Sequence, residues 1–324
     1  MTNNSPVDMT ISAVIPAYNA GRFIGDAVAS IRQQGAAVSE IIIIDDGSTD
    51  NTSEVVAALG SDIQYVRQEN AGPSAARNLG IKLANSSWIA FLDADDVWTP
   101  NKIAEQMAAL QDNPDAVLVA SDMSEIDMMG DMLAPSLLDA HGLLEFFQRL
   151  DGSPVPHALR RLVEKNFIPT GTVMARRNVL LELGGFKPDI RYGEDLELWA
   201  RVAARHPIVC LPHAHLLRRQ HGENATQATG PMLNDLVKVM KYVRASCGTE
   251  LRAQGVNPDA TVSKALFDLA YWHFSNGSLS AARDTFRQSL SCKPSLKTAL
   301  YLTASQLPAQ AVSALRQAKQ YLRT

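Results

Sequence analysis

Apolar positions along the first 120 residues follow two alternating orders. "ISAVIPAY" (11–18) and "EIIIIDD" (40–46) are short, β-branched and almost continuously apolar, as strands of a parallel sheet covered on both faces must be. Between them Phe23, Ile24, Ala27, Val28 and Ile31 recur at helical spacing, which completes a βαβ unit. The order then repeats. A helix carrying Val55, Val56 and Leu59 follows the Gly47–Asn51 turn, "IQYVR" (63–67) is a weaker strand, and "SAARNLGIKLA" (74–84) is a helix beginning at Ser74. "WIAFLD" (88–93) is a strand, Pro100 suits the first turn of a helix with Ile103, Met107 and Leu110 inward, and "AVLVASD" (116–122) is a further strand. Repeated βα units predict a doubly wound α/β sheet, which takes ligands beyond the carboxyl ends of its strands.

From 123 to 165 the periodicity fades, apart from a helix predicted over 136–150, and the stretch reads as a variable lobe. Order returns at "IPTGTVMARR" (168–177) and in "GEDLELWARVA" (193–203), where Leu196, Leu198, Trp199 and Val202 form a helical stripe that puts Glu194 and Asp195 at the helix N-terminus. A strand signal near 216 places Arg218, Arg219 and His221 after it. His213 and His215 are spaced like a metal pair, yet with no carboxylate nearby they read as ordinary strand positions. After about 230 every signal is helical. Leu269, Ala270, Gly277, Ala282, Phe286 and Pro294 stand at the relative positions of one tetratricopeptide-like hairpin, a pattern that a plain helical tail also satisfies. A lone repeat cannot bury its own apolar face, so it is expected to pack on the first domain or on a second subunit.

Composition narrows the classes. The 324 residues are 46% hydrophobic and 20% charged, enough for a full α/β core plus an appendage. A formal net charge of -4 lacks the basic excess of a nucleic-acid binder. Cys210, Cys247 and Cys292 are far apart and odd in number, which argues against a disulfide framework or a zinc knuckle and suits a reducing cytoplasm. The polar "MTNNSPVDMT" start does not resemble a signal peptide, no run of 18 apolar residues occurs, and the Asn224-Ala225-Thr226 sequon carries no meaning in a chain that is not exported.

The chemistry concentrates in "FLDADDVW" (91–98), where three aspartates crowd within four positions at a strand end. Turn formation and capping of the next helix account for Asp96 but poorly for all three, whereas a divalent cation relieves the repulsion of all of them. "VIPAYN" (14–19), "DDGSTD" (45–50), "LDADD" (92–96) and "GEDLELW" (193–199) occur in this order, and together they resemble the family 2 glycosyltransferases over about residues 10 to 222.

That resemblance implies a GT-A fold: a Rossmann-like, mixed but mainly parallel sheet flanked by helices, here with an all-helical C-terminal extension. It implies a catalytic domain over 1–230, with 10–122 the nucleotide-binding half and 123–230 the acceptor half, followed by helical 231–324. An inverting, metal-assisted transfer from a nucleotide-diphosphate sugar, a UDP-sugar first, to a hydroxyl of a glycan, lipid-linked or protein acceptor follows from it. Asp95 would bind Mn²⁺ or Mg²⁺, with Asp93 towards the ribose or uracil and Asp96 as further ligand or orienting group. Asp46 resembles the family's base-contacting aspartate, with Asp45 beside it, while Pro16, Ala17 and Tyr18 line the base and ribose pocket, although core packing of Tyr18 is open. Arg77 would screen the aspartates or bind phosphate, or be a surface ion pair.

Arg218, Arg219 and His221 would close over the diphosphate, with His221 completing the metal shell, or form a solvated turn. For Ser48, Thr49 and Asp50 capping is preferred. Asp195, ionised at neutral pH, would be the base that deprotonates the acceptor, with Glu194 as alternate and dipole complementation as the bland reading. A lipid acceptor would bring the protein to the inner face of the membrane, and the helical C-terminus offers a homodimer surface. A sugar-phosphate nucleotidyltransferase is the competing enzyme, but "VIPAYNAGRF" lacks its Gly-rich triphosphate loop. A non-catalytic nucleotide-sugar-binding or scaffold protein is the third reading.

Overall fold

The computed structural model describes residues 9–221 and 229–307. The sequon and the first eight residues lie outside that range. In chain order the elements are β1 (Ile11–Ala17), α1 (Ile24–Arg32), β2 (Val38–Asp45), α2 (Thr52–Leu59), β3 (Ile63–Arg67), α3 (Pro73–Leu83), β4 (Trp88–Phe91), β5 (Val97–Trp98), α4 (Lys102–Asp112), β6 (Leu118–Ile126), β7 (Met132–Ala134), α5 (Leu137–Ala140), α6 (Leu144–Leu150), α7 (Ala158–Glu164), β8 (Met174–Arg176), α8 (Arg177–Glu182), α9 (Glu194–Ala203) and β9 (Ile208–Arg219). Four helices follow: α10 (Thr229–Ala253), α11 (Pro258–Ser275), α12 (Leu279–Cys292) and α13 (Leu296–Ala304). By its contacts the chain divides into two units, Met1–Asn224 and Ala225–Thr324.

The strands of the first unit form one sheet in the order β3-β2-β1-β4-β8-β6-β9-β5, with β7 on β6. β1 to β4 pair in parallel, β8 runs antiparallel between β4 and β6, and β6 and β9 are again parallel. The sheet is therefore mixed rather than purely doubly wound. Ile11, Ala13, Val14 and Ile15 of central β1 are fully buried because helices cover both faces, which is why the strand reads as a continuous apolar run. α3 lies directly on β1: a Cβ added at Gly80 would stand 2.3 Å from Val14 Cγ1, so a glycine lets the helix approach. β1, β2 and β4 end together, and their carboxyl ends carry Ala17, Asp45 and Leu92–Asp93.

Several expectations shift. The predicted helix over 136–150 is two short helices, α5 and α6, interrupted at Gly142, whose φ of 66° a side chain would resist. The last strand of the first half is 118–126 rather than 116–122, because its pairing with β9 continues to Ile126↔Arg219. α4 begins at Lys102 after Asn101, which sits at φ 66° without a side-chain cap, so Pro100 precedes the helix and Asp96 does not cap it. Arg218 and Arg219 lie within the end of β9, not after it.

The second unit is helical throughout its described residues. α11 and α12 form a hairpin turned at Gly277, which has φ 82°. Ala270, Phe274, Ala282 and Phe286 make its core, with Phe267, Tyr301 and Leu302 packed against them. α10 also packs on α11, so the hairpin finds cover within its own unit.

Candidate active site

The loops after β1 and β2 are laced together before any acidic group meets a ligand. Asn19 (φ 51°) accepts the Thr49 amide at 2.8 Å, its own amide donates to Ser48 Oγ at 2.9 Å, and Asp50 accepts the Gly21 amide at 3.0 Å. Ser48 and Thr49 thus bind two loops to each other, while Asp50 does this and also accepts the Thr52 amide at the start of α2 at 3.0 Å. Asp45 is fully buried and accepts the Tyr65 hydroxyl and, at 2.7 Å, the Ser48 amide. Burial opposes its charge, but those hydrogen bonds win and hold its carboxyl below the usual range. Asp46 accepts Gln68 Nε2 at 2.7 Å and the amides of Ala71 and Gly72 at 2.8 Å each, which shapes the 68–72 loop leading into α3. Both aspartates are thus engaged by the protein's own donors. Ala17 is buried, Pro16 half-buried, and Tyr18 is 54% exposed, which removes the core-packing reading of Tyr18.

The three aspartates after β4 point to three different partners. Asp93 meets Arg77 Nη2 at 2.6 Å; Asp95 Oδ2 meets His221 Nε2 at 2.9 Å; Asp96 accepts the Arg219 amide at 2.9 Å. Of the four residues expected around a metal, Asp95 and His221 thus meet each other, while Asp93 and Asp96 are engaged elsewhere. Asp93 is held away by an arginine, and Asp96, buried, ties the end of β9 to the loop. Burial first, then the charges of Asp95 and Asp93, raise the Asp96 carboxyl well above its ordinary value. Arg219 also reaches the Asp95 carbonyl at 3.3 Å and Asp26 at 3.1 Å. Arg218 pairs instead with Glu125 across the β6–β9 ladder at 3.6 Å, its charge still felt at Asp96. Neither arginine forms a merely solvated turn.

Arg77 joins this loop to α9. Its buried guanidinium donates through Nη2 to Asp93 and through Nη1 to Glu194 at 2.8 Å. Burial works against its charge, but the two carboxylates overcome this and keep it firmly protonated. It is not a surface ion pair. α9 starts behind Gly193 at φ 80°, so Glu194 and Asp195 occupy the first turn as expected. Asp195 departs from expectation. Burial, and next the charge of Glu194, push its carboxyl up to about 7, against the pull of the Leu196 amide, Arg77 and Asn166. Asn166 Nδ2 stands 3.4 Å from both Asp195 oxygens.

With these loops in place, comparison with known proteins decides the family. Residues 12–180 match the family model for Glycosyl transferase family 2. The chain belongs to glycosyl transferase family 2. An uncharacterized glycosyltransferase of Rickettsia conorii is 34% identical over 203 residues, covering 62% of this chain and 31% of that protein. The succinoglycan biosynthesis protein ExoU of Rhizobium meliloti is 33% identical over 220 residues, covering 63% of this chain and 59% of ExoU. The chain thus spans about a third of the Rickettsia conorii relative. Among solved structures, S. aureus TarS 1-349 in complex with UDP aligns with TM-score 0.58 at 16% identity, covering 87% of this chain and 81% of that one. The mannosyltransferase PcManGT from Pyrobaculum calidifontis, in complex with GDP-Man and Mn²⁺, aligns with TM-score 0.56 at 17% identity, covering 94% and 86%. Both likenesses establish a shared GT-A-like fold.

Within this family 2 chain, four residues of the site escaped sequence analysis. Tyr65 on β3, the strand with the weakest pattern, and Gln68 just after it hold Asp45 and Asp46. Asn166 lies at the edge of the lobe where periodicity fades. Phe23, taken for the apolar face of α1, stacks on the His221 ring with centroids 5.3 Å apart and lies under the Arg219 guanidinium at 5.6 Å. Only Phe23 left a signal: it stands at the start of its helix, where an aromatic can serve the loop as well as the core.

Proposed function

We propose that this chain is the catalytic part of an inverting glycosyltransferase that moves a sugar from a nucleotide diphosphate, UDP before GDP, to a hydroxyl of a glycan or lipid-linked acceptor. One observation carries the reading: Arg77 bridges Asp93 and Glu194, so the acidic loop after β4 and the Asp195 carboxyl next to Glu194 form one connected site. Titrating near neutrality, Asp195 is suited to take the acceptor proton as that oxygen attacks the anomeric carbon from the face opposite the diphosphate. The bond from that carbon to the diphosphate oxygen then breaks, with inversion. Asn166 and the Leu196 amide orient the carboxyl. Tyr18 and Asp93 would border the nucleoside, with Asp45 and Asp46 holding the loops beneath it, and Arg219 and His221 would face the diphosphate.

Asp95 and His221 fit a divalent ion: one carboxylate and one imidazole converge at 2.9 Å, both partly exposed, and leave the remaining positions to phosphate oxygens and water. Bound there, Mn²⁺ or Mg²⁺ would neutralise the diphosphate as it departs. Supporting the donor class, solved relatives of this fold carry UDP, UDP-GlcNAc and GDP-Man in their complexes. ExoU, named for succinoglycan biosynthesis, supports a polysaccharide acceptor. No helix among the described residues is long and apolar enough to cross a membrane.

The test is release of nucleoside diphosphate from a panel of UDP- and GDP-sugars, with and without Mn²⁺. Turnover with at least one donor, falling about 10²–10⁴-fold in Asp195→Asn, is expected. Absence of turnover with every donor, or an Asp195→Asn variant as fast as the parent, would reject the assignment.

A further inference from the structure

A second group of ligating side chains stands apart from the donor site. Glu105, on α4, reaches two histidines of β9 with a single oxygen: His213 Nδ1 at 2.8 Å and His215 Nε2 at 3.1 Å. The three ligand atoms lie within 4.8 Å of one another. This corrects the expectation that no carboxylate serves the histidine pair, because Glu105 is about 110 residues away in sequence and only the packing of α4 on β9 brings it there.

The strand is built to aim these rings. Opposite β6, Ser121 pairs with Leu211, Asp122 with Ala214 and Met123 with Leu216, so His213 and His215 are both extra residues at successive register shifts. Alternate residues of a strand share a face, which brings His213 and His215 toward the same oxygen of α4, and the register shifts beside them bend this stretch out of the β6 ladder. Pro212, beside the first shift, has no amide to lose from the ladder.

We propose that Glu105, His213 and His215 form a binding site for a borderline divalent ion of the zinc class, separate from the donor-site metal. Tetrahedral zinc with bonds of about 2.0–2.2 Å holds its ligand atoms roughly 3.3 Å apart, so the two spacings to Glu105, 2.8 and 3.1 Å, would open slightly, and the two imidazole nitrogens already lie within 4.8 Å of each other. Two imidazoles and one carboxylate are the donor set zinc favours, with the fourth position open to water on the side of His213, which is 66% exposed. His215 is buried, so its ring is held in place against Glu105. Its Nδ1 is buried without a hydrogen-bond partner among the described residues, which leaves Nε2 as the ring nitrogen facing Glu105. The donor site is distinct: His215 lies within β9 and bonds Glu105 of α4, whereas His221 lies beyond the end of β9 and meets Asp95.

Bound there, the ion would staple α4 to β9, the strand whose end presents Arg219 and leads to His221. The experiment is a titration of the chelator-treated full chain with Zn²⁺ alone, without nucleotide, read by calorimetry and thermal shift, with Co²⁺ absorption reporting geometry. One equivalent with micromolar or tighter affinity, a raised Tm and a tetrahedral Co²⁺ spectrum are expected. Affinity should drop at least tenfold in His213→Gln and in Glu105→Gln, whose side chains are too exposed to be needed for folding, and stay unchanged in Asp95→Asn. No zinc uptake, uptake equal in His213→Gln, or loss in Asp95→Asn alone would overturn the site.

Discussion

At the scale of single residues, Arg77 and Asp195 decide the behaviour of the site. Arg77→Met would leave Asp93 and Glu194 facing each other without a cation. Breaking a buried pair costs about 3–5 kcal/mol, and the lower end applies because Asp93 is over a third exposed. A urea-denaturation midpoint unchanged in that variant would contradict the bridge. Asp195 makes a sharper prediction. Its folded pKa of about 7 lies above the unfolded value, so the folded state holds the extra proton: stability contributed by this group is present below about pH 4 and is lost as pH rises through 7. Activity runs the other way, because only the ionised carboxylate accepts the acceptor's proton. kcat/KM should therefore climb with pH to a plateau above about 7, and the midpoint should move to lower pH in Glu194→Gln, where the charge raising it is gone. A profile flat between pH 5 and 8 would exclude Asp195 as the base. The motif around Asp195 was legible in the chain, but its pKa was not: a carboxylate directly before a helical stripe looks ionised until burial and a neighbouring charge, supplied by folding, act on it.

Among the elements, helix and strand identities were legible wherever apolar periodicity was strong, as in β1, β2, α1 and α9, and were lost where it weakened. β8 has only three residues, and β5 two, and such short strands are defined by their partners rather than by any pattern of their own. Close packing between elements is open to measurement at Gly80. Alanine there would gain about 1 kcal/mol of helix propensity yet drive a methyl to 2.3 Å from Val14. Overpacking of about 1–3 kcal/mol outweighs the gain, so Gly80→Ala should unfold at lower urea than the parent. Greater stability would show that α3 can retreat from β1 at no cost.

For the whole molecule, Lys102 exposes what the assembled core imposes. It is fully enclosed, donates to Gln106 Oε1 at 2.7 Å and lies 4.5 Å from the centre of the Trp98 ring, and burial alone lowers its pKa to about 7. The unfolded chain keeps lysine near about 10.4; it binds the extra proton between these values, and stability from this group rises with pH across that window. The depression is worth on the order of 4 kcal/mol, more than the about 1–3 kcal/mol for leaving Gln106 without its donor. Lys102→Met should accordingly be more stable than the parent at pH 6 and lose that advantage by about pH 10.5, as followed by Tm. An advantage independent of pH would assign it to packing instead. The chain by itself determined the alternation of strands and helices, the helical C-terminal region and which acidic motifs stand at strand ends, because these follow from local periodicity and turn chemistry. Tertiary structure alone decided that Asp93 answers to Arg77, that Asp96 holds β9, and that Glu105 meets two histidines, because each pairing joins segments whose separation in sequence leaves no local trace and whose charges are set by what surrounds them once water is gone.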